Sequence, residues 1–191
     1  MKSVLFALLA LPLSSGTGLA AGFNLVNAEK SAVSFVSKQM GVPVEGRFKK
    51  FSAQISLDTS KPEKGMAQIE IDLASIDAGS SEANDEVKGK AWFNIREFPS
   101  ARFVSGAIKS IGNGRYEAAG KMTIKGKTRD VVAPFSAKAD GGSLLIDGAV
   151  PILRLQYGIG EGVWADTGTV ADEVQVRFHF TLSAASPVKT Q

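Results

Sequence analysis

One histidine, no cysteine and two adjacent carboxylate pairs are what this chain offers to acid–base or nucleophilic chemistry. A serine or threonine nucleophile would need His179 as its base. His179 shares the polar phase of an alternating segment with Glu173, Gln175, Arg177 and Thr181, which reads as a solvated surface position. Asp172 and Glu173 are neighbours on that segment and point to opposite faces of a strand, so they make a poor acid/base pair. Asp85 and Glu86 fall near the start of a short helix and suit the positive end of its dipole. Scattered carboxylates with one histidine give no zinc or calcium ligand spacing. The absence of cysteine removes thiol chemistry and disulfides. Gly158-x-Gly160-x-Gly162 lacks the spacing and the following helix of a dinucleotide loop, and reads as a turn. The residues point away from catalysis, and neither a cofactor nor a metal is expected.

The aromatic residues are more informative. Phe35, Phe48, Phe51, Phe103 and Tyr116 fall on inward phases of alternating segments, as do Phe135, Phe178 and Phe180. Ile69, Ile71 and Met122 share those phases. The same phases also carry Ala53, Ala118, Gly120, Ala133 and Ala137. Small residues facing large ones leave room for a cavity lined with hydrocarbon and aromatic groups. A solid apolar core has the same sequence pattern, so both a ligand-holding interior and a filled-core interaction module stay open.

The elements that must position these residues are strands of period two. Segments 23–28 and 32–37 read as strands, with Met40-Gly41 as a turn. The run 42–57 alternates but changes phase at Lys49-Lys50, which predicts a bulge or sharp bend. Residues 61–65 are a loop and 67–73 a half-buried strand. From 101 the chain reads as hairpins, with turns at Gly112-Asn113-Gly114, Gly126 and Asp140-Gly141-Gly142. Pro134, on the outward phase, predicts an edge or a distortion. Residues 157–168 are glycine-rich and irregular, and 172–182 is a clean strand.

One stretch breaks the alternation. Ser80 or Ser81 supplies a helix N-cap, acids follow, and Lys88, Gly89 and Lys90 close a helical segment near 81–90. Trp92, Phe93, Ile95 and Phe98 come next, ending at Pro99. A short helix followed by large apolar residues must lie on something, and Trp92, Phe93 and Phe98 are placed as a cover over one end of a barrel. The expected fold is all-β, an antiparallel barrel of about eight strands, with a β-sandwich as the competing architecture.

Residues 1–20 read as a signal peptide: Lys2, an apolar run over 4–13, then small residues up to Ala20. The run is about half of the ~20 residues that a spanning helix needs. A domain over 21–183 and a flexible tail over 184–191 complete the expected organisation. The charge balance, 22 Lys and Arg against 19 Asp and Glu, is too even to suggest a nucleic-acid partner.

Four stretches, in order, resemble the YceI-like family of bacterial lipid-binding proteins. They are Gly46-Arg47-Phe48-Lys49-Lys50-Phe51; Ser75-Ile76-Asp77-Ala78-Gly79 with Asp85, Trp92-Phe93 and Phe98-Pro99; the run from Gly120 to Thr128; and Arg154 with Tyr157-Gly158-Ile159-Gly160 and Trp164. The resemblance implies a lipocalin-like barrel holding a polyisoprenoid-type chain, and a periplasmic, non-enzymatic role. It adds Tyr157 and Trp164 to the lining or cover, and Asn84, Asp85 and Arg154 as polar groups at the mouth. Many members carry Arg-Asp-x-His-Leu where this chain has Asn84-Asp85-Glu86-Val87-Lys88, which favours a quinone or neutral lipid over a pyrophosphate. The expected partners are an apolar isoprenoid-type ligand, a transient contact with a membrane or membrane protein, and a second copy through an exposed edge strand.

Overall fold

The computed structural model describes residues 22–184. The expected signal peptide lies outside these residues, as does the expected tail apart from Ala184, which ends the last strand. Ten antiparallel strands form one curled sheet. They are β1 (Phe23–Gln39), β2 (Val42–Phe48), β3 (Phe51–Ser56), β4 (Met66–Asp72) and β5 (Ile76–Asp77), then β6 (Ser100–Gly112), β7 (Arg115–Ile124), β8 (Lys127–Asp140), β9 (Ser143–Leu153) and β10 (Glu173–Ala184). Their spatial order is β3-β4-β6-β7-β8-β9-β10-β1-β2-β5. The sheet curls far enough for its ends to meet at one point, where Phe23 and Leu57 exchange backbone hydrogen bonds of 3.2 and 3.0 Å.

The strand count differs slightly from the expected eight, for local reasons. The run 42–57 splits at Lys49-Lys50 because the chain turns a corner there. The corner's donors are satisfied off the ladder: Lys49 N–H donates to the Ser75 carbonyl (3.1 Å) and Lys50 N–H to Ser75 Oγ (2.9 Å). The small strand β5 then pairs with the end of β2. In the other direction, the two strands expected over 23–37 are one. A bulge between Asn27 and Ala32 interrupts the register with β10 without ending the strand. Inside it the Asn27 carboxamide accepts from Lys30 N–H at 3.1 Å, and Ser31 Oγ donates to the Asn27 carbonyl at 2.6 Å.

Pro134 marks a split in the sheet. β8 pairs with β7 from Lys127 to Ser136, but with β9 only from Phe135 onward. Ala137 N–H donates to Gly114 on the β7 side, so the odd-numbered donors of β8 face β7 and the even-numbered ones face β9. Arg154 N–H donates to Asp172, so the even-numbered donors of β9 face β10 and the odd-numbered ones face β8. Pro134 and Pro151 therefore both lack their N–H on the side where β8 and β9 would meet. The ladder ends there and leaves a cleft that Gln156 and Tyr157 border, with Arg129 Nη2 donating to the Gln156 carbonyl at 3.1 Å.

The helical segment forms as expected. Helix α1 (Ser81–Lys88) is capped by Ser80, whose Oγ accepts from Ala83 N–H at 3.2 Å, and it stops at Gly89. The strand directions put α1, the Met40-Gly41 turn, the Lys125-Gly126 turn and the loop 154–171 at one end of the curl. The turns around 57–65, 112–114 and 140–142 lie at the other.

Candidate functional site

The inward phases enclose a cavity of about 560 Å³, so the interior is hollow. Its wall is nearly all hydrocarbon. Phe35, Phe48, Phe103, Phe135, Phe178 and Phe180 line it, joined by Ile69, Ile71 and Met122. Ala118 and Ala133, both buried, supply the small surfaces between the rings. Two glycines keep the rings against the wall. Gly46 lies opposite Phe35, and Gly148 opposite Phe178, on neighbouring strands. At each, a Cβ would intrude on the ring across from it. With hydrogen in its place, the ring lies flat over the backbone and the lumen stays open.

Trp92, Phe93 and Trp164 stand at the mouth. The two indoles meet at 5.5 Å, and Phe93 meets Phe48 edge-on at 6.4 Å. Trp92 Nε1–H donates to Glu86 at 3.1 Å. Both tryptophans of the chain thus report on this opening.

Arg154, expected as a polar group at the mouth, is 1% exposed and faces no ligand space with a free donor. Its Nε donates to Ala171 (3.0 Å), Nη1 to Ile159 and Gly160 (2.8 and 3.1 Å), and Nη2 to Trp164 and Val170 (2.8 and 2.7 Å). All five guanidinium N–H groups are used on backbone carbonyls. Trp92 stacks over the cation at 5.7 Å. Burial lowers the pKa of this guanidinium, and the charge of Asp172 opposes the shift. The side chain is the centre around which the loop 154–171 is folded. Lys125 does similar work from the β7–β8 turn. Its Nζ donates to the carbonyls of Lys90 (2.9 Å) and Gly158 (2.6 Å) and to Glu161 (3.1 Å).

Other expected site residues lie away from the cavity wall. Phe51 packs edge-on behind Phe180 at 5.9 Å. Tyr116, opposite Phe135 on the neighbouring strand, stacks on it at 5.3 Å within the buried core. Phe98 lies against Gly126. Tyr157 is buried beside the β8–β9 cleft, and desolvation raises its pKa. Asn84 Oδ1 accepts from Ala78 N–H at 2.6 Å and fixes the helix entrance. Asp85 is exposed on the helix.

The helix face towards the cavity consists of Glu82, Ala83, Glu86 and Val87. Spacings of four along a helix bring these pairs onto one face, and that signal was present in the sequence. Glu82 is held below the usual carboxylate range by its own backbone N–H and by the hydroxyls of Ser80 and Ser81. Near the helix entrance, Asp77 is held low by Lys49 first, then by the Gly79 N–H and Arg47. The charges of α1 that border the opening are therefore acidic. Arg102, also at the wall, is exposed and sits in the phase opposite to Ala101 and Phe103.

His179 does meet a carboxylate: Nδ1 lies 2.6 Å from Asp147 Oδ1, and Nε2 lies 3.4 Å from Thr181 Oγ1. This array is on the outer face, apart from the cavity. The Thr181 hydroxyl is buried and donates to the Lys30 carbonyl at 3.1 Å, so the histidine has no free hydroxyl to activate.

A model of the YceI-like domain matches residues 25–182. A UPF0312 protein of Pseudomonas savastanoi is 28% identical over 131 residues, 68% of each chain. The crystal structure of BcnA from Burkholderia cenocepacia is 49% identical with a TM-score of 0.80, covering 82% of this chain and 98% of that one. A polyisoprenoid-binding domain from Saccharophagus degradans, implicated in plant cell wall breakdown, shares the fold at 16% identity. Its TM-score is 0.64, over 87% of this chain and 99% of that domain.

Proposed function

The chain belongs to the YceI-like domain family, and we propose that it is a non-enzymatic periplasmic protein that carries or sequesters a long-chain isoprenoid lipid or isoprenoid quinone in its cavity. The hollow, hydrocarbon-lined interior carries this reading. A filled core would serve an interaction module equally well, but a cavity of about 560 Å³ has no structural use in one. The polyisoprenoid-binding domain of S. degradans, which shares the fold, supports the ligand class. The leader-like residues 1–20 support export.

Hydrophobic contact alone is strong enough. A forty-carbon chain buried at about 0.8 kcal/mol per carbon group gives roughly 30 kcal/mol of gross gain. Observed affinities stop near about −20 kcal/mol, and chain ordering absorbs the difference. No charged clamp is needed: Arg154 is fully committed, and Glu82 and Glu86 border the opening. A neutral headgroup fits this mouth better than a pyrophosphate, which would meet two like charges.

Lipid-stripped protein titrated with a neutral isoprenoid quinone should show saturable quenching of Trp92 and Trp164. Ala133→Phe projects a ring into the lumen and should weaken binding at least about tenfold. A matched isoprenyl pyrophosphate should bind more weakly than the quinone. Equal quinone affinity for Ala133→Phe and wild type would place the ligand outside the cavity.

A further inference from the structure

Three large apolar side chains stand further into solvent than any others of the described residues: Val163 (86% exposed), Met40 (78%) and Val42 (63%). All three belong to the mouth. Met40 is in the two-residue turn between β1 and β2, and Gln39 and Val44 on either side line the cavity. Val163 precedes Trp164, which lines it too. The segments carrying them are tied together. Met40 N–H donates to the Thr169 carbonyl and Ala171 N–H to the Lys38 carbonyl, each at 2.9 Å, and Gln39 bridges to Val170. Both segments are otherwise well held, so the exposure is built in and does not reflect a loose loop. Other exposed apolar residues lie elsewhere, such as Leu25 near the start of β1 and Val132 on β8.

We propose that Met40, Val42 and Val163 dock the protein on a lipid bilayer, with the cavity mouth turned towards the acyl chains. Met40 sits in the tight turn, Val42 opens β2 beside it and Val163 lies in a short 3-10 helix. Exposed side chains so placed enter a deformable interface and offer a protein partner no pocket for an anchoring side chain. The rim is continuous with the hydrocarbon wall of the lumen, so an apolar chain passes from bilayer to cavity without exposing its methylenes to water. Docking through these three apolar side chains is driven by buried apolar area and so tolerates salt. The surface deepens the carrier reading, which explains what the docking is for, but its measurement does not depend on it.

The test is flotation of lipid-stripped protein with phosphatidylcholine vesicles. Wild type should co-float at low and high salt. Met40→Ser, Val42→Ser and Val163→Ser combined should lower the bound fraction about tenfold or more, with the strand spectrum and quinone quenching unchanged. Leu25→Ser with Val132→Ser, at exposed positions near the start of β1 and on β8, should leave flotation unchanged. The proposal is overturned if wild type fails to float, which would assign the rim to a protein partner. It is overturned equally if the triple variant floats as well as wild type, or if flotation needs anionic lipid and is abolished by salt. Quinone quenching, read separately, shows whether the carrier reading stands in each case.

Discussion

Arg154→Met should destabilise the protein by about 3–5 kcal/mol, since several buried acceptors lose their donor at once, at about 1–3 kcal/mol each before water enters. Methionine matches much of the volume of arginine but donates nothing. Five carbonyls, those of Ile159, Gly160, Trp164, Val170 and Ala171, lose their donor together. They can recover hydrogen bonds only by admitting water, which requires the loop 154–171 to open. Opening it removes Trp164 from Trp92 and frees the backbone of Val170 from the β1 end. Chemical denaturation followed by tryptophan fluorescence should show a lower midpoint and a red-shifted native baseline. Arg154→Lys should recover only part of the loss, because an ammonium has three donors for five acceptors. A midpoint unchanged in Arg154→Met would mean that the loop is held by other contacts.

Gly148→Ala should cost about 1–3 kcal/mol, in the range of overpacking a well-filled site. The added Cβ would intrude on the Phe178 ring and lie 2.6 Å from the Pro134 carbonyl oxygen. The ring can swing, but only into the lumen. The carbonyl belongs to the backbone where the β8–β9 ladder ends, and it yields only if the strands separate. The variant should therefore lose both stability and ligand capacity. Gly148→Ala combined with Phe178→Leu should regain ligand capacity by removing the ring that was displaced. Full capacity in the single variant, measured by quinone quenching, would show that Phe178 does not shape the cavity.

Much of this was legible in the sequence because it is written in local patterns. The capping serine, the early acids and Gly89 marked α1 to within two residues. Alternation marked the inward phases, and the phase change at Lys49-Lys50 marked the corner. Pro134 announced a distortion. That it ends a ladder in concert with Pro151 depends on which neighbour each missing N–H faces, and the register sets that. The same limit explains Arg154. The family resemblance placed it as a polar group at the mouth, but its partners are carbonyls, which every residue carries and which only folding collects around one side chain. Lys125 gave no signal for the same reason. Tyr116 and Phe51 share the phase of the lining rings but pack beside Phe135 and Phe180 without lining the cavity, a distinction that period-two alternation does not encode.

The most direct measurement is organic extraction of the protein purified gently, without detergent, from the cells that make it, followed by mass spectrometry. A near-stoichiometric isoprenoid lipid or quinone with an uncharged headgroup is expected, lost from Ala133→Phe purified in parallel. An extract with no apolar molecule above the level of that variant would contradict the carrier reading.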